Sequence, residues 1–175
     1  MSIKIGINGF GRIGRLVMRA AAENPDVSIV QINDPAGDPA TLAHLLHFDS
    51  VHGRSVHEAI AEDSRIRFAD FNALVSHNKT IAETDWSACD VVIEASGKMK
   101  TKAVLQAYLE QGVKRVVVTA PVKEEGVLNV VMGVNDDAYN PAVHRIVTAA
   151  SCTTNCLAPV VKVIHEALGI QHGSI

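Results

Sequence analysis

Short runs of β-branched residues alternate along this chain with stretches in which apolar residues recur at helical spacing. Six runs are predicted to form strands, at residues 3–7, 27–32, 91–93, 115–119, 129–132 and 144–147. Runs that are apolar throughout are typical of strands buried on both faces of a parallel sheet. Because helical stretches separate these strands, the chain is predicted to adopt an α/β fold with a doubly wound, mostly parallel sheet.

Residues 65–82 interrupt the alternation. They contain two or three short runs typical of strands, with a turn near His77 and Asn78. This pattern predicts a small β excursion inside the α/β unit.

The predicted first strand leads into a glycine-rich turn, which consists of Gly9, Phe10, Gly11, Arg12, Ile13 and Gly14. A helical pattern follows, and Asp34 stands at the end of the next strand, about 20 residues further on, as a dinucleotide-binding fingerprint requires. Glycines let backbone N–H groups approach a pyrophosphate, and a carboxylate can accept both hydroxyls of a ribose. Asp34 would repel a 2′-phosphate, so the pattern favours NAD over NADP. A structural turn without a cofactor is the alternative.

A second motif places a cysteine at the start of a predicted helix, in the segment Ser151, Cys152, Thr153, Thr154, Asn155 and Cys156. The first turn of a helix has unpaired N–H groups and a partial positive charge, which favour a thiolate, so Cys152 is a candidate nucleophile. A cysteine packed in a core is the alternative. The same N–H groups, with the hydroxyls of Ser151 and Thr153, also suit an inorganic anion.

The rest of this helix has apolar residues at helical spacing, namely Leu157, Val160, Val161, Ile164 and Leu168. The spacing predicts a buried face that anchors Cys152 on a rigid element. Cys156 is expected to be a packed core thiol, and Pro159 is expected to kink the helix.

Composition narrows the class of protein. The 175 residues are 47% hydrophobic and 20% charged, which allows one main domain with a substantial core. A net charge of -3 provides no basic surface for nucleic acid, and no apolar run is long enough to span a membrane. Met1 leads into a strand without a signal-peptide pattern, and three unpatterned cysteines favour a reducing compartment. A cytoplasmic location is therefore expected.

Five segments together resemble phosphorylating glyceraldehyde-3-phosphate dehydrogenase, in register from residue 1 to about residue 172. They are residues 7–15, 32–34, 48–54, 132–135 and 150–159, and the last is the most specific. The resemblance implies NAD as the cofactor, an aldehyde phosphate and inorganic phosphate as substrates, and a homo-tetramer. It also implies that glyceraldehyde 3-phosphate is oxidised through a thiohemiacetal, with hydride transfer to NAD and release of the thioester by phosphate as an acyl phosphate.

The resemblance assigns roles to residues of this chain. Cys152 matches the nucleophile, and Ser151 and Thr153 match hydroxyls that help to hold phosphate and substrate. The positions that match the NAD groove are Gly9, Phe10, Gly11, Arg12, Ile13, Asn33, Asp34, Ser96, Gly97 and Thr119. The implied organisation is a dinucleotide-binding domain at residues 1–150 and the truncated start of a substrate domain at residues 151–175.

The chain departs from the family pattern in three places. Thr148 and Ala149 stand where relatives have a Ser-Asn pair, which removes a polar side chain near the site. Thr84 aligns with a position near the adenine edge that is often Arg or Lys. The chain ends at Ile175, before the strand on which the family carries its catalytic histidine, and His172 does not match that position. The 175-residue chain by itself is therefore expected to be inactive.

Two alternatives to the full enzyme remain open. A genuinely short protein could bind NAD without completing the reaction. A family member could instead act on erythrose 4-phosphate, or accept arsenate in place of phosphate.

Histidines and lysines outside these motifs are expected to be structural or solvated. The histidines at 44, 47, 52 and 57 lack a fixed fourth ligand, so no metal site is predicted. Lys98, Lys100 and Lys102 are expected to form a solvated helix start, with a phosphate contact as the alternative.

Overall fold

The computed structural model describes residues 2–174 of the chain. Its strands are β1 (Ile3–Asn8), β2 (Val27–Asn33), β3 (Phe48–Asp49), β4 (Gly53–Arg54), β5 (Ala59–Glu62), β6 (Arg65–Phe68), β7 (Phe71–Ser76), β8 (Val91–Glu94), β9 (Arg115–Val118), β10 (Leu128–Asn129) and β11 (Ile146–Thr148). Its α-helices are α1 (Arg12–Ala21), α2 (Pro39–His47), α3 (Lys102–Glu110) and α4 (Cys152–Leu168), and 3-10 turns lie at Ile81–Glu83 and Asp136–Ala138. Among the helices of residues 2–174, none is long and apolar enough to cross a membrane.

Nine strands form one sheet in the order β10-β11-β9-β8-β1-β2-β7-β6-β5. The seven strands from β10 to β7 pair in parallel, and β6 and β5 extend the sheet in antiparallel pairing. A separate antiparallel pair is formed by β3 and β4. From β1 the chain moves first to β2 on one side and later to β8 on the other. The doubly wound, mostly parallel sheet is therefore confirmed.

Two hydrophobic clusters lie on opposite faces of the sheet, because successive residues of a strand point to opposite faces. On β1, Ile7 belongs to a cluster that includes Leu46 of α2. Gly6, its neighbour, faces Trp86 of a second cluster, which includes Tyr108 of α3. Each large side chain buried in this way contributes about 1.5–3 kcal/mol to folding. The sheet is thus held between two cores, and its strand ends form a rigid edge.

The β excursion lies at residues 59–76, earlier in the chain than predicted. Two-residue turns that begin at Asp63 and Ala69 connect β5 to β6 and β6 to β7. Both residues have left-handed backbones, with φ of 50° and 51°, as tight hairpins require. The turn predicted at residues 77–78 is wrong, since these residues follow β7. Alanine is not a usual left-handed turn residue, so the turn at Ala69 has no signal in the sequence.

The other predicted strands are confirmed, except near the end of the sheet. The strand predicted at residues 129–132 is limited to β10 at Leu128–Asn129. Beyond it, the Val131 N–H donates to Asn135 Oδ1 at 2.8 Å, which turns the backbone away from the sheet. The strand predicted at residues 144–147 lies at Ile146–Thr148.

The last helix contradicts the prediction of a buried apolar face. None of the 17 residues of α4 is buried, and the helix continues through Pro159 as one element. Cys156, predicted to be a core thiol, is also exposed. Helical spacing of apolar residues identifies a face that is suited to burial, but not a surface that covers it. The large apolar side chains that remain exposed on α4 are Val160, Val161, Val163, Ile164 and Leu168.

Candidate functional site

The candidate site lies along the carboxyl edge of the sheet, where the parallel strands end. In open α/β sheets, ligands bind at this edge, beside the point where the strand order reverses. Strands are spaced by about 4.8 Å, so the ends of β2 and β11 are roughly 19 Å apart. Backbone hydrogen bonds tie each end to its neighbour: Asp34 N–H to Ser76 O (3.0 Å), Gly9 N–H to Asn33 O (2.8 Å), Ala95 N–H to Asn8 O (2.7 Å), Thr119 N–H to Glu94 O (2.9 Å) and Ala149 N–H to Val118 O (2.9 Å).

Three glycines in the turn after β1 have different roles. Gly9 has a φ of 91°, and a Cβ there would lie 2.4 Å from the Ser96 nitrogen in the loop after β8. A Cβ on Gly14 would lie 2.2 Å from the Gly9 carbonyl oxygen, so α1 could not approach the turn as closely. A Cβ on Gly11 would meet no atom within 4 Å. The turn is therefore closely packed on the protein side and open at Gly11, where a ligand can reach the backbone.

The N-terminus of α1 and the carboxylate of Asp34 lie next to each other. Gly11 is the N-cap of α1 and offers no side-chain acceptor to the first-turn N–H groups. Asp34 accepts from the Phe10 N–H at 2.6 Å and from the Ala36 N–H at 2.9 Å, which fixes its carboxylate beside the turn. Unpaired N–H groups at a helix start suit a pyrophosphate, and an adjacent carboxylate suits ribose hydroxyls.

A cleft of about 440 Å³ opens at these strand ends. Lys79 and Lys98 line it, although the fingerprint did not mark them. Thr84, expected near the adenine edge, is instead buried, and its hydroxyl donates to Asn33 Oδ1 at 3.2 Å. The basic residue on the β7 side of the cleft is therefore Lys79. The predicted residues that line the cleft are Gly9, Gly11, Asn33, Asp34 and Ser96.

Arg12 is directed toward the β3–β4 hairpin. Its guanidinium lies 3.5 Å from Asp49 Oδ1 and donates to Ser50 Oγ at 3.2 Å. Hydrogen bonds from the N–H groups of His52 and Val51, supported by Arg12, hold the pKa of Asp49 well below its usual range. Arg12 therefore links the start of α1 to the hairpin.

The other predicted groove residues lie around the cleft rather than in its lining. The Phe10 side chain is buried in the core, so only its backbone faces the turn. Ile13 is 49% exposed on the first turn of α1, and Gly97 is exposed with a φ of 71°. The Thr119 hydroxyl donates to the Glu94 carbonyl at 3.2 Å. The structure thus brings together about half of the predicted set.

A buried polar network lies beneath the cleft. The Glu94 carboxylate, 1% exposed, accepts from Asn8 Nδ2 at 2.7 Å and from the Tyr108 hydroxyl at 2.6 Å. It also accepts from the Ser96 N–H at 2.8 Å and from the Ser96 hydroxyl. Burial, together with the facing Glu94 carboxylate, raises the pKa of Tyr108. Glu94 and Asn8 had no predicted role, and their signal in the sequence is a polar residue at the end of an apolar strand.

Asn33 extends this network toward β7. Its Nδ2 donates to Asn8 Oδ1 at 2.8 Å, and its Oδ1 accepts from Ser76 Oγ at 2.8 Å and from the Asn78 N–H at 2.9 Å. A buried network rigidifies its surroundings when its members are satisfied. The floor of the cleft is therefore a fixed polar surface.

Cys152 is the first residue of α4 and is exposed. Ser151 caps the helix, because its hydroxyl accepts from the Thr154 N–H at 3.0 Å. Asn155 Nδ2 donates to the carbonyls of Ala149 at 2.7 Å and of Ser151 at 2.9 Å, which holds the first turn against the end of β11. Thr153 is exposed on the same turn. The cysteine and both predicted hydroxyl residues therefore lie together at one helix start.

The turn between β11 and α4 is strained. Ala150 is buried and has a φ of 55°, a conformation that costs about 1–3 kcal/mol in a residue other than glycine. The Thr148 hydroxyl accepts from the Ala150 N–H at 3.0 Å and donates to Asn129 Oδ1 at 2.6 Å. Thr148, which stands in place of the Ser of relatives, therefore still provides a hydroxyl at the base of the turn. The polar side chain that is missing is the Asn of relatives, which exposed Ala149 replaces.

The histidines near α2 make structural contacts. His47 Nδ1 donates to the His57 carbonyl at 3.1 Å, and its Nε2 accepts from Arg54 Nε at 2.8 Å. His52 lies 3.2 Å from Asp49. Within residues 2–174, no three His, Cys, Asp or Glu side chains are placed to hold a metal ion.

These features define a dinucleotide-binding α/β domain with an exposed cysteine on the same edge of its sheet. Residues 3–102 match the family model "Glyceraldehyde 3-phosphate dehydrogenase, NAD binding domain". Residues 151–175 match the model "Glyceraldehyde 3-phosphate dehydrogenase, C-terminal domain". The chain belongs to the glyceraldehyde-3-phosphate dehydrogenase family.

Bacterial relatives agree with this assignment. The chain is 52% identical to glyceraldehyde-3-phosphate dehydrogenase 3 of Nostoc sp., in a match that covers 100% of the chain and 52% of that protein. It is 47% identical to glyceraldehyde-3-phosphate dehydrogenase 1 of Streptomyces avermitilis and 44% identical to glyceraldehyde-3-phosphate dehydrogenase of Geobacillus stearothermophilus. These two matches each cover 99% of the chain and 52% of the relative. The chain spans about half the length of the curated relatives that it matches.

NAD is accordingly the cofactor of this domain. The residues present fit it: the backbone is open at Gly11, the first turn of α1 lacks a side-chain cap, and Asp34 is fixed beside both. A side chain at Gly11 would fill the space that a pyrophosphate needs.

Proposed function

We propose that the full-length protein is an NAD-dependent dehydrogenase that oxidises glyceraldehyde 3-phosphate and transfers the acyl group to inorganic phosphate. The observation that supports this most is the common location of the cofactor cleft and Cys152, both on the carboxyl edge of one sheet. Membership of the glyceraldehyde-3-phosphate dehydrogenase family supports the substrate and the reaction.

The strand order suggests how the cofactor lies. Asp34 after β2 would hold the adenosine ribose, and the N–H groups of Arg12 and Ile13 would hold the pyrophosphate. The nicotinamide half would then extend past Ser96 and Thr119, toward the end of β11. When bound, NAD supplies the acceptor for a hydride. The protein's part is to place a cysteine-bound substrate beside it.

Cys152 would provide the nucleophile. Its thiolate attacks the aldehyde carbon, a C–S bond forms, and the carbonyl electron pair becomes an oxyanion that first-turn N–H groups of α4 can stabilise. The oxyanion takes up a proton to give the thiohemiacetal. Later loss of that proton to a base, and of a hydride from the same carbon to the acceptor, leaves a thioester. A phosphate oxygen then attacks the thioester carbon, the C–S bond breaks, and the thiolate is restored as acyl phosphate leaves. Ser151 and Thr153 would hold the phosphate.

The histidines that follow Cys152 are not positioned to take the proton. His165 lies near the opposite end of the 17-residue helix, about 20 Å from Cys152. Its Nδ1 accepts from the Ile170 N–H at 3.3 Å. His172 follows that far end of the helix. The activity test therefore requires the full-length gene product.

We further propose that residues 1–150 form the dinucleotide-binding domain and residues 151–175 begin the substrate domain. The position of α4 supports this boundary, because the helix leaves the sheet after β11 and has no buried residue. A cytoplasmic homo-tetramer is the state that the family resemblance suggests.

The test is NADH formation by the full-length gene product. We expect NADH absorbance to rise only when glyceraldehyde 3-phosphate, NAD and phosphate are all supplied, with arsenate able to replace phosphate. Cys152→Ser should lower kcat at least about 10³-fold, since it removes the nucleophile. Cys156→Ser is the matched control, because Cys156 is exposed one turn further along the same helix, and it should retain activity within about twofold.

Three results would contradict the proposal in different ways. No NADH formation would refute the dehydrogenase activity. Faster turnover of erythrose 4-phosphate would refute the proposed substrate. Full activity of Cys152→Ser would refute the thioester mechanism.

A further inference from the structure

The buried Glu94 carboxylate has no role in the reaction steps proposed above. It lies at the end of β8 and is bonded to Asn8 and Ser96, both of which line the cofactor cleft. Oε2 accepts from Asn8 Nδ2 and the Tyr108 hydroxyl, and Oε1 accepts from the Ser96 N–H and hydroxyl. Asn8 Nδ2 and the Ser96 N–H can only donate, and the two hydroxyls donate as well, so all four contacts suit the acceptor oxygens of a carboxylate.

Within residues 2–174, no Lys, Arg or His side chain forms an ion pair with Glu94. The ion pairs formed there involve other carboxylates, namely Asp49, Glu23, Glu62 and Asp90. The four donors to Glu94 are neutral groups. Because Glu94 and its surroundings are buried, the charge is poorly screened and acts beyond its immediate contacts. The Glu94 carboxylate therefore lies directly behind two residues of the cleft lining, Asn8 and Ser96, while Lys79 and Lys98 line the cleft itself.

We propose that Glu94 is a specificity-determining residue that makes the cleft prefer NAD, whose nicotinamide ring is cationic, over NADH, whose ring is neutral. The proposal rests on the proposed function, since it requires the nicotinamide half to lie on the β8 side of Gly9. With Asp34 after β2 and Cys152 after β11, the ends of β8 and β9 lie between the proposed adenosine position and the reacting thiol.

The size of the preference follows from the charge difference between the two forms. Adenosine and pyrophosphate are identical in NAD and NADH, so their interactions with Glu94 cancel in the comparison. Two strand spacings separate β8 from β11, so a ring placed beside Cys152 would lie about 10 Å from Glu94. At that separation and an effective dielectric constant of about 20, the charge would change the affinity ratio about tenfold. Glu94 thereby favours dissociation of NADH after each turnover and its replacement by NAD.

The test measures the dissociation constants of NAD and NADH by calorimetry on the full-length gene product. Glu94→Gln removes the charge and keeps the size, so the NADH to NAD ratio of Kd values should fall about tenfold. Tyr108→Phe is the matched control, because it removes one hydrogen bond to the same carboxylate and leaves the charge. It should keep the wild-type ratio within about twofold, even if both affinities weaken equally.

A second variant covers the case in which Glu94→Gln does not fold. The double variant Glu94→Gln, Tyr108→Phe lacks the hydroxyl donor that would face the new amide, and it is compared with Tyr108→Phe alone. The proposal is overturned if the NADH to NAD ratio of Kd values in the double variant stays within twofold of the ratio in Tyr108→Phe.

The outcomes separate this proposal from the proposed function. A wild type that binds both nucleotides but does not oxidise glyceraldehyde 3-phosphate would refute the proposed function, and the Kd ratios would still decide the role of Glu94. A wild type that binds neither nucleotide would overturn both.

Discussion

Gly9→Ala and Gly11→Ala add the same methyl group at two points of one turn, and we expect them to affect different properties. At Gly9 the φ of 91° places alanine in the left-handed region, which costs about 1–3 kcal/mol. The new Cβ would also lie 2.4 Å from the Ser96 nitrogen and 2.6 Å from the Ala95 carbonyl carbon. Moving the loop after β8 to relieve this contact adds about 1–3 kcal/mol. The free energy of unfolding should therefore fall by about 2–6 kcal/mol.

Gly11→Ala should instead affect cofactor binding. Gly11 has a φ of −68°, and its Cβ would meet no atom within 4 Å, so the loss of stability should be about 1 kcal/mol or less. The methyl group would occupy the space where a pyrophosphate must approach the helix start. Overpacking of about 1–3 kcal/mol corresponds to a roughly 5- to 150-fold weaker affinity for NAD.

Urea denaturation measures the first effect, and calorimetric titration with NAD measures the second. Each variant is the control for the other, because the chemical change and the turn are the same. A Gly9→Ala protein as stable as the wild type would refute the steric reasoning. A Gly11→Ala protein that binds NAD with wild-type affinity would refute the assignment of the pyrophosphate to this turn.

Three further predictions concern the cysteines, Asp49 and α4. Iodoacetamide at neutral pH should label Cys152 fastest and Cys156 more slowly. Cys89 should stay unlabelled, because it is 3% exposed and burial raises its pKa to about 12. Equal labelling rates at Cys152 and Cys156, measured by mass spectrometry, would contradict this prediction. The lowered pKa of Asp49 stabilises the fold at pH values above the usual carboxylate pKa of about 4, and acidification removes this contribution. Below about pH 4, the free energy of unfolding measured in urea should therefore fall more steeply for the wild type than for Asp49→Asn. Parallel pH curves for the two proteins would refute this reasoning. The 175-residue chain should associate through the exposed apolar side of α4. The double variant Val163→Lys, Leu168→Lys should reduce this association in sedimentation velocity without lowering Tm, because the two side chains are already 66% and 84% exposed. Unchanged association would count against this surface.

The parts of the fold that the sequence predicts are those that depend on short segments. Buried strands and the turn at Gly9, Gly11 and Gly14 are each determined within about ten residues, and the structure confirms them. The doubly wound arrangement also follows, because such connections leave few alternatives. The structure then places β2 next to β1 in the strand order. The position of Asp34 beside Gly11 is a consequence of that order.

The rest depends on contacts between distant residues or on backbone detail. Glu94 becomes a buried network residue only when Tyr108, 14 residues away, and Asn8, 86 residues away, pack onto it. Thr84 follows the 3-10 turn at Ile81–Glu83 and is buried, so Lys79 lines the cleft and Thr84, which the family resemblance had placed near the adenine edge, does not. The exposure of α4 depends on what lies next to the helix, which its own residues do not specify.

The central position of β1 has a consequence for the order in which the protein is assembled during synthesis. The pairing of β1 with β2 closes within the first 33 residues, whereas its pairing with β8 joins residues 86 positions apart. Contacts distant in sequence form later, because the entropy of closing a long loop must be overcome first. A nascent chain can therefore complete the adenosine side of the cleft while the nicotinamide side has not yet left the ribosome. NAD would contact both halves of the sheet only after they have paired, so its full binding free energy would stabilise the completed domain.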